Sequence, residues 1–350
     1  MKSKKEVIII GGGLSGLALA FFLQKKDIKA TILEASGRLG GRIYTIAGSL
    51  GTPLELGATW FSGIHVNLLD LIQELNLTKY PQYSGGISLF QTKSFEPPQK
   101  FYVPEADVPS YRMAGGTQKL INALAQKLGH EYILLNEKVS AVKQADDGLI
   151  VETTSGSTFN AGQVIICVPP QLVASKIQFS PALPAAAREI FPTVQTWMAG
   201  AIKFNLEYAE PFWRKEGYSG MLYSHAGIVV EMYDHTNFEE DKCGFTGFLN
   251  SGATAYSQDI RKEFVLRQLS ELLGPKIMQS SAYFDKVWND EFVLEGSPVI
   301  LRPHQNNGHP VFFSSYMDGR LHFCGTETAE EFAGYMEGAV ASAKFIAGKL

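Results

Sequence analysis

A glycine-rich turn directly after an apolar strand is the feature that most constrains this chain. Residues 7–10, Val-Ile-Ile-Ile, form the continuous β-branched run that a strand buried on both faces requires. The next residues place glycines at Gly11, Gly13 and Gly16. Gly11 permits the tight turn, Gly13 lets the backbone approach a phosphate, and Gly16 lets the following helix pack on the strand. The pattern therefore predicts a turn that holds a dinucleotide pyrophosphate.

The residues after this turn support the same interpretation. The helix that begins near Leu14 and Ser15 presents free N–H groups and a partial positive charge to the pyrophosphate. Lys29 to Leu33 form a second apolar strand, and Glu34 at its end can accept hydrogen bonds from ribose hydroxyls. Strand, turn, helix, strand and acid appear in this order, which predicts an α/β fold; a glycine-rich turn without a nucleotide is the alternative.

The composition limits the classes of protein that need to be considered. The chain has 350 residues, 45% hydrophobic and 19% charged, so it can bury a large core over two domains or one interleaved pair. The net charge of −4 gives no reason to expect a nucleic-acid partner. Cys167, Cys243 and Cys324 are widely spaced, so neither a metal site nor a disulfide framework is expected.

Targeting signals are not expected either. Glu6 and the glycines interrupt the first apolar stretch, so we do not interpret it as a signal peptide. No apolar run approaches the ~20 residues that a membrane helix needs. We therefore expect a soluble, cytoplasmic protein, and a homo-oligomer is compatible with the sequence.

Further along the chain, the pattern changes several times. Residues 35–42 form a second glycine-rich loop with two arginines, and residues 79–112 are rich in Pro, Tyr and Gly, which is typical of a crossing between domains. Thr117 is positioned to cap a helix that Gly129 ends. Residues 197–250 alternate apolar and polar side chains, which indicates an antiparallel sheet.

Ten segments spread over nearly the whole chain carry a resemblance to a known family. They read Gly-Gly-Gly-Leu-Ser-Gly at 11–16, Leu-Glu-Ala at 33–35, Gly-Arg-Leu-Gly-Gly-Arg at 37–42, Glu-Leu-Gly-Ala-Thr-Trp at 55–60, Gly-Gly-Thr at 115–117, Val-Ile-Ile-Cys-Val-Pro-Pro at 164–170, Ala-Ile-Lys-Phe at 201–204, Pro-Phe-Trp at 211–213, Phe-Cys-Gly-Thr-Glu-Thr-Ala at 323–329 and Gly-Tyr-Met-Glu-Gly-Ala-Val at 334–340. In content and order they resemble the flavin-containing amine oxidases, which include monoamine and polyamine oxidases.

The resemblance implies a Rossmann-like FAD/NAD(P)-binding domain (GR2-type) interleaved with a smaller α+β substrate domain that contains an antiparallel sheet. The FAD-binding domain is expected over residues 1–75, 117–195 and 288–350, and the substrate domain over residues 76–116 and 196–287. The matching segments give the expected FAD-binding residues: Gly11, Gly13, Leu14, Ser15, Gly16, Glu34, Ala35, Arg38, Gly40, Gly41, Arg42, Gly57, Ala58, Thr59, Trp60, Val139, Pro169, Gly325, Thr326, Glu327, Tyr335, Met336 and Ala339.

Two residues are the catalytic candidates. Lys203 lies in an apolar strand, where a lysine is costly unless it has a partner, and burial would lower its pKa. By resemblance, Lys203 is the lysine that hydrogen-bonds to flavin N5 through a water, and Tyr335 is one wall of the aromatic cage around the amine. The implied reaction moves a hydride from the carbon beside the amine nitrogen to flavin N5; the imine is hydrolysed, and O2 reoxidises the flavin and forms H2O2.

The chain departs from the family pattern in three places. Ser297 stands near the position of the covalent flavin cysteine of mammalian monoamine oxidases, so FAD is expected to be noncovalent. Pro298 stands near the position of the opposite cage aromatic, which leaves the cage half built. Residues 76–116 are too few for the helical section that larger relatives carry there, so the pocket is expected to be shallower or more open.

Two other functions stay open at this stage. The missing cage aromatic favours a flavin-dependent carbon–carbon desaturase or dehydrogenase, as in phytoene desaturases and protoporphyrinogen oxidases. The open pocket permits a flavin-binding subunit without turnover, although Lys203 argues against it. Glu231 and Asp234 are candidates for recognising a cationic substrate, with a solvated strand face as the simpler interpretation.

Overall fold

The computed structural model describes residues 6–293 and 302–350. Its helices are α1 (Leu14–Gln24), α2 (Val66–Glu74), α3 (Gln118–Leu128), α4 (Pro170–Lys176), α5 (Ala185–Ile190), α6 (Phe212–Lys215), α7 (Gln258–Leu273) and α8 (Met336–Lys349). Its strands are β1 (Val7–Ile10), β2 (Ala30–Leu33), β3 (Thr45–Ala47), β4 (Pro53–Glu55), β5 (Lys79–Pro81), β6 (Gly86–Gln91), β7 (Gln99–Val103), β8 (Tyr111–Met113), β9 (Ile133–Leu134), β10 (Val139–Ala145), β11 (Gly148–Thr153), β12 (Thr158–Ala161), β13 (Gln163–Ile166), β14 (Gln178–Ser180), β15 (Ile202–Tyr208), β16 (Tyr218–Ser224), β17 (Val229–Asp234), β18 (Cys243–Leu249), β19 (Ala282–Val287) and β20 (Leu321–Phe323).

A parallel five-stranded sheet carries the glycine turn. Its strand order is β20-β13-β1-β2-β9, and every neighbouring pair is parallel. Strand β1 lies in the middle, and all four of its residues are buried, as the β-branched run predicts. Helix α1 packs against α3 and α8 on the sheet. The turn after β1 is therefore held between a buried strand and a buried helix, which fixes its backbone.

An antiparallel sheet dominates the second half of the fold. Its strand order is β19-β15-β18-β17-β16-β6-β7, and only the β16–β6 pair is parallel. One face packs on α7 in an apolar core that includes Phe204, Met232 and Phe245. The other face points toward the parallel sheet, because Lys203 and Asn205 of β15 donate hydrogen bonds to backbone oxygens of residues 55–57.

The short segment at 76–116 contributes only strands. Within this range, all of which the structure describes, β6 and β7 extend the large sheet, and β5 pairs with β8. A third sheet, β12-β11-β10-β14, lies beside the parallel sheet in a separate apolar cluster. We propose the domain division at residues 76, 117, 196 and 288 on this basis, since the seven strands of the large sheet all come from the two substrate segments.

Local predictions agree with the structure except in detail. Helix α3 ends at Leu128, directly before Gly129, as expected. Thr117 precedes α3, but its side chain makes no capping hydrogen bond; its N–H donates to Glu55 instead. None of the helices within residues 6–293 and 302–350 is both long and apolar enough to cross a membrane.

Candidate functional site

A cavity of about 660 Å³ is lined by residues of both large sheets. It begins at the glycine turn, runs past the loop at 35–42 and the turn at 57–60, and reaches Lys203 and the start of α8. Its volume lies in the range of cofactor and substrate pockets. The segments that the sequence analysis singled out are therefore brought together around one space.

The glycine turn has the geometry that its spacing predicts. A Cβ at Gly16 would lie 2.0 Å from the Gly11 oxygen, so only glycine allows this approach of helix to turn. Gly11 has φ +112°, and a Cβ there would lie 2.9 Å from the Cys167 oxygen. Gly13 differs from both, because no heavy atom lies within 4 Å of a Cβ placed on it. The backbone at Gly13 thus faces open space in the cavity, beside the N-terminus of α1.

Glu34 connects the turn to the end of β2. Its Oε2 accepts a hydrogen bond of 2.7 Å from the Gly12 N–H, and its Oε1 accepts one of 2.8 Å from the Ser36 N–H. The carboxylate lines the cavity. Glu34 therefore orients both loops, and its remaining lone pairs can accept from ribose hydroxyls.

The two arginines of the 35–42 loop have different surroundings. Arg42 Nη1 lies 2.6 Å from Oε1 of Glu327, whose side chain is 3% exposed. Arg38 donates to the Gly41 oxygen at 2.6 Å and lies over the Tyr44 ring. Both arginines line the cavity. Arg42 therefore brings a positive charge that a buried carboxylate orients, whereas the guanidinium of Arg38 also holds its own loop in shape.

Lys203 is buried at the centre of the site. Its Nζ donates to the Gly57 oxygen at 2.7 Å and to Thr59 Oγ1, and it lies 4.7 Å from the centre of the Trp60 ring. Burial lowers the pKa of Lys203 to about 7, and the attraction of Glu55 opposes this shift only in part. The direction is the one expected for a lysine in an apolar strand.

Glu55 is the counter-charge of this lysine. It is 2% exposed, and it accepts hydrogen bonds from the Thr45 hydroxyl and the Thr117 N–H. Burial raises the pKa of the Glu55 carboxyl, while Lys203 lowers it. The pair places one ionisable acid and one ionisable base in an interior where neither charge is strongly favoured.

Tyr335 stands at the N-terminus of α8 within a group of aromatic rings. Its ring centre lies 6.4 Å from that of Trp197 and 6.0 Å from that of His304, with interplanar angles of 31° and 15°. Trp197 and His304 stack at 4.3 Å. A Cβ at Gly334 would lie 2.7 Å from Trp197 Cβ, so glycine permits this packing. Tyr335 is 43% exposed and lines the cavity.

Most of the predicted cofactor residues line this cavity. The exceptions are Gly16, Gly325 and Glu327. Gly16 packs α1 on the turn, and Glu327 supports Arg42 from behind. The predicted residues that do line it are Gly11, Gly13, Leu14, Ser15, Glu34, Ala35, Arg38, Gly40, Gly41, Arg42, Gly57, Ala58, Thr59, Trp60, Val139, Pro169, Thr326, Tyr335, Met336 and Ala339.

Comparison with a family model identifies the chain. The model for flavin containing amine oxidoreductases matches residues 14–100 and 83–350. The chain belongs to this family. One relative, the probable flavin-containing monoamine oxidase A of Dictyostelium discoideum, is 26% identical, and the match covers 98% of this chain and 96% of the relative. That alignment runs over 452 residues whereas this chain has 350, so part of the relative has no counterpart here.

Further comparisons agree on family and fold. The putative flavin-containing monoamine oxidase AofH of Mycobacterium tuberculosis (strain CDC 1551 / Oshkosh) is 30% identical over 80% of this chain and 59% of its own length. A structure of putrescine oxidase bound to putrescine superposes with a TM-score of 0.84 at 22% identity, over 99% of this chain and 98% of that one. Cyclohexylamine oxidase from Brevibacterium oxydans IH-35A gives a TM-score of 0.85 at 19% identity, with the same coverage of both chains. These two structures share the fold.

Membership of the flavin amine oxidoreductase family confirms several predictions from the sequence. The protein is an FAD-dependent enzyme that oxidises amines, and the comparisons do not favour a desaturase or a non-catalytic subunit. The site fits FAD on independent grounds. The open space at Gly13, the free N-terminus of α1 and the acid at the end of β2 form a cradle for a dinucleotide. Ser297 and Pro298, on which the expectations of a noncovalent FAD and a half-built cage rest, lie outside the described residues.

Some lining residues carry no local sequence signal. Trp197, Phe248 and Trp288 are aromatic residues that look like ordinary core positions until the two sheets are packed together. The other lining residues absent from the prediction are Ile10, Leu33, Ser36, Gly37, Ile43, Glu137, Lys138, Cys167, Val168, Leu172, Lys176, Ile177, Met198, Ala201, Asp290, Glu291, Phe292, Val293 and Gly334.

Asp234, one of the two acids considered for substrate recognition, has a structural environment. It receives two hydrogen bonds from Arg214, at 2.7 and 2.8 Å, and one from Trp213 Nε1 at 2.8 Å. The side chain is fully buried. Asp234 therefore has no free oxygen directed at the cavity. Among residues 6–293 and 302–350, no group of three or more His, Cys, Asp and Glu side chains could hold a metal ion.

Proposed function

We propose that this protein oxidises an amine at the carbon beside the nitrogen, with noncovalent FAD and with dioxygen as the electron acceptor. The products would be an imine, which water hydrolyses to a carbonyl compound and an amine, and hydrogen peroxide. The observation that carries the proposal is the single cavity that joins the glycine turn to Lys203 and the aromatic rings around it. FAD, when bound, supplies the two-electron acceptor that takes hydrogen from the carbon–hydrogen bond and passes the electrons to dioxygen.

The cofactor would be held along the first part of the cavity. Gly13 and the N-terminus of α1 would receive the pyrophosphate, and Arg42 would add a positive charge near it. Glu34 would accept from the ribose hydroxyls, and Val139, which lines the same end, would contact the adenine. The N-terminus of α8, at Met336, would favour negative charge at the ring system.

Lys203 supports the chemistry by holding a proton and a water molecule. Its Nζ has three donors when charged, and the two hydrogen bonds to the Gly57 oxygen and Thr59 Oγ1 leave one for a water in the cavity. With a pKa of about 7, Nζ exchanges a proton readily near neutral pH. We therefore assign Lys203 the role of exchanging a proton with this water during turnover.

Aromatic side chains shape the part of the cavity that receives the amine. Tyr335 and Trp60 line it from different elements, and Trp197 and Phe248 extend the same wall. Flat apolar faces exclude water and hold a neutral amine with its lone pair in a fixed direction. Among the described residues, Trp197 is one of the rings beside Tyr335, with 6.4 Å between the two ring centres.

A cytoplasmic location and a homo-oligomeric state are part of the proposal. The three cysteines are all free, which agrees with a reducing compartment. Residues 76–116, all described, contain strands and no helix, which also agrees with closure of the cavity by a second subunit.

The decisive experiment is an anaerobic titration of the purified flavoprotein with a panel of amines, followed by visible absorbance. We expect one class of amine to bleach the flavin band, and readmission of air to restore it with one hydrogen peroxide per amine oxidised. A yellow protein that no amine bleaches would refute amine oxidation. Bleaching that air does not reverse would refute dioxygen as the acceptor while leaving amine oxidation intact.

A further inference from the structure

A row of four side chains crosses the large sheet on the face that lines the cavity. Lys203 on β15 pairs with Phe248 on β18, Phe248 pairs with Glu231 on β17, and Glu231 pairs with Tyr223 on β16. Direct partners in antiparallel strands project from the same face. Neighbouring strands are about 4.8 Å apart, so the backbones of Lys203 and Glu231 are separated by about 10 Å.

This row leads from the buried lysine to the protein surface. Lys203 is 2% exposed, Phe248 and Glu231 are half-buried, and Tyr223 is 39% exposed. Lys203 and Phe248 line the cavity, and so does Trp60. The Trp60 ring lies 6.3 Å from the Phe248 ring and thus covers the first part of the row. Glu231 therefore stands one strand beyond the cavity wall, on the way to solvent.

The Glu231 carboxylate is held in place by tyrosines and not by a cation. Tyr233 donates a hydrogen bond to Oε1 of Glu231, and the hydroxyls of Tyr223 and Tyr233 lie 2.6 Å apart. Within residues 6–293 and 302–350, no ion pair to Glu231 is formed. Two of the acids that line the cavity, Asp290 and Glu291, pair instead with lysines at 2.7 and 2.6 Å.

The surroundings of Glu231 suit an ammonium group. The Trp60 and Tyr233 rings are 5.2 Å apart in an edge-to-face arrangement beside it. Aromatic faces next to a carboxylate attract organic cations, and the attraction grows as water is excluded. The field of Glu231 reaches Lys203, because Glu231 is one of the groups that raise the lysine's pKa against the effect of burial. The carboxylate and the reaction centre are thus within electrostatic range of each other.

We propose that Glu231 binds the distal ammonium of a diamine or polyamine while the reacting amino group lies beside Lys203. This inference rests on the proposed amine oxidation and names its substrate class. The two amino groups would have different environments: the reacting one lies among apolar rings as the neutral amine, and the distal one remains charged beside the Glu231 carboxylate. The separation of about 10 Å between the two backbone positions suits an aliphatic chain that bridges them.

The test compares n-alkylamines with α,ω-diamines of the same chain length. The variants are Glu231→Gln, which keeps an oxygen to accept from Tyr233, and Glu271→Gln, which removes one exposed charge on α7 as a matched control. We expect the wild-type protein to prefer the diamine. Glu231→Gln should lower kcat/KM for the diamine by about 10–100-fold, the range for a hydrogen bond to a charged group, chiefly through KM. The same variant should lower kcat/KM for the monoamine much less, so the ratio of diamine to monoamine kcat/KM should fall. Glu271→Gln should leave both values within about 2-fold, the level at which surface substitutions act.

A second readout does not need turnover. Bis-quaternary alkanes, which carry two charges and no oxidisable amine, should inhibit the wild-type protein more strongly than mono-quaternary alkanes of equal length. Glu231→Gln should remove that difference, and Glu271→Gln should keep it. Equal kcat/KM for mono- and diamines in the wild-type protein, or a Glu231→Gln variant that keeps the preference, would overturn the inference. Absence of bleaching by any amine would instead overturn the proposed function.

Discussion

Replacing Gly13 by Val should abolish FAD binding while leaving the stability of the apoprotein nearly unchanged. Gly13 has φ −77° and ψ −177°, an extended conformation that a β-branched residue adopts easily, and its Cβ would meet no heavy atom within 4 Å. The substitution restricts the unfolded chain, which stabilises by about 0.4–1 kcal/mol, whereas valine is a poorer N-cap than glycine. These effects oppose each other, so the apoprotein should keep its free energy of unfolding within about 1 kcal/mol.

The same side chain should abolish binding of FAD. It would project into the part of the cavity that the pyrophosphate requires, beside the N-terminus of α1. A ligand at 100 times its dissociation constant stabilises a folded protein by about 2.7 kcal/mol. The wild-type protein should gain this amount from added FAD and the Gly13→Val variant should gain none. Chemical unfolding with and without FAD, together with visible absorbance for FAD content, measures both quantities.

The Gly16→Ala variant should, in contrast to Gly13→Val, destabilise the folded apoprotein. A Cβ at Gly16 would lie 2.0 Å from the Gly11 oxygen, so even one methyl group should destabilise the apoprotein. A Gly13→Val variant that purifies with full FAD would refute the assignment of the phosphate site. An apoprotein that loses as much stability from Gly13→Val as from Gly16→Ala would refute the claim that Gly13 faces open space.

Four further predictions concern Lys203, Asp234 and Tyr335. The pKa of Lys203 is about 7 in the fold against an ordinary value of 10.5, so the unfolded state binds more protons between these values. The free energy of unfolding measured in urea should therefore gain up to about 1.4 kcal/mol per pH unit from this group as pH rises from 7 to 10.5, and Lys203→Met should remove that contribution. Lys203→Met should also slow flavin reduction or reoxidation, followed by stopped-flow absorbance, far more than it lowers FAD content. Asp234→Ala leaves Arg214 without its buried partner, so it should cost about 3–5 kcal/mol in urea unfolding while leaving the ratio of diamine to monoamine kcat/KM unchanged. Tyr335→Leu should keep FAD bound but lower kcat/KM for all amines by about 10-fold or more, because an aromatic wall is lost; unchanged kinetics would remove Tyr335 from the site.

The glycine turn could be predicted from sequence because its determinants are local. The β-branched run at 7–10, the spacing of Gly11, Gly13 and Gly16, and the acid at position 34 all act within one strand–helix–strand unit. Backbone conformation and close approach decide these positions, and neither depends on distant parts of the chain. The buried state of Lys203 was predictable for a similar reason, since its neighbours in β15 are apolar.

Long-range pairing was not predictable in the same way. The sequence predicts Arg42 at the cofactor, but it does not predict the ion pair that Arg42 forms with Glu327, almost three hundred positions later. Trp197 precedes β15 and Tyr335 precedes α8, and these two distant parts of the chain meet only in the folded protein. Such contacts follow from how the two sheets are stacked, and no periodicity in either segment contains that information.

Glu231 and Asp234 of β17 are equal candidates for substrate recognition in the sequence, but packing gives them different surroundings. Positions 231 and 234 differ by three, so in a strand they must project from opposite faces. Met232 lies in the apolar core, which puts Asp234 on the core side as well, where only a paired carboxylate is tolerable; Arg214 supplies that pairing. Glu231 then necessarily faces the cavity side, where its carboxylate accepts a hydrogen bond from Tyr233 and, among the described residues, forms no ion pair. The alternation of the strand therefore places Asp234 in the core, where it pairs with Arg214. It leaves Glu231 on the cavity side, where we propose that its charge binds a cationic substrate.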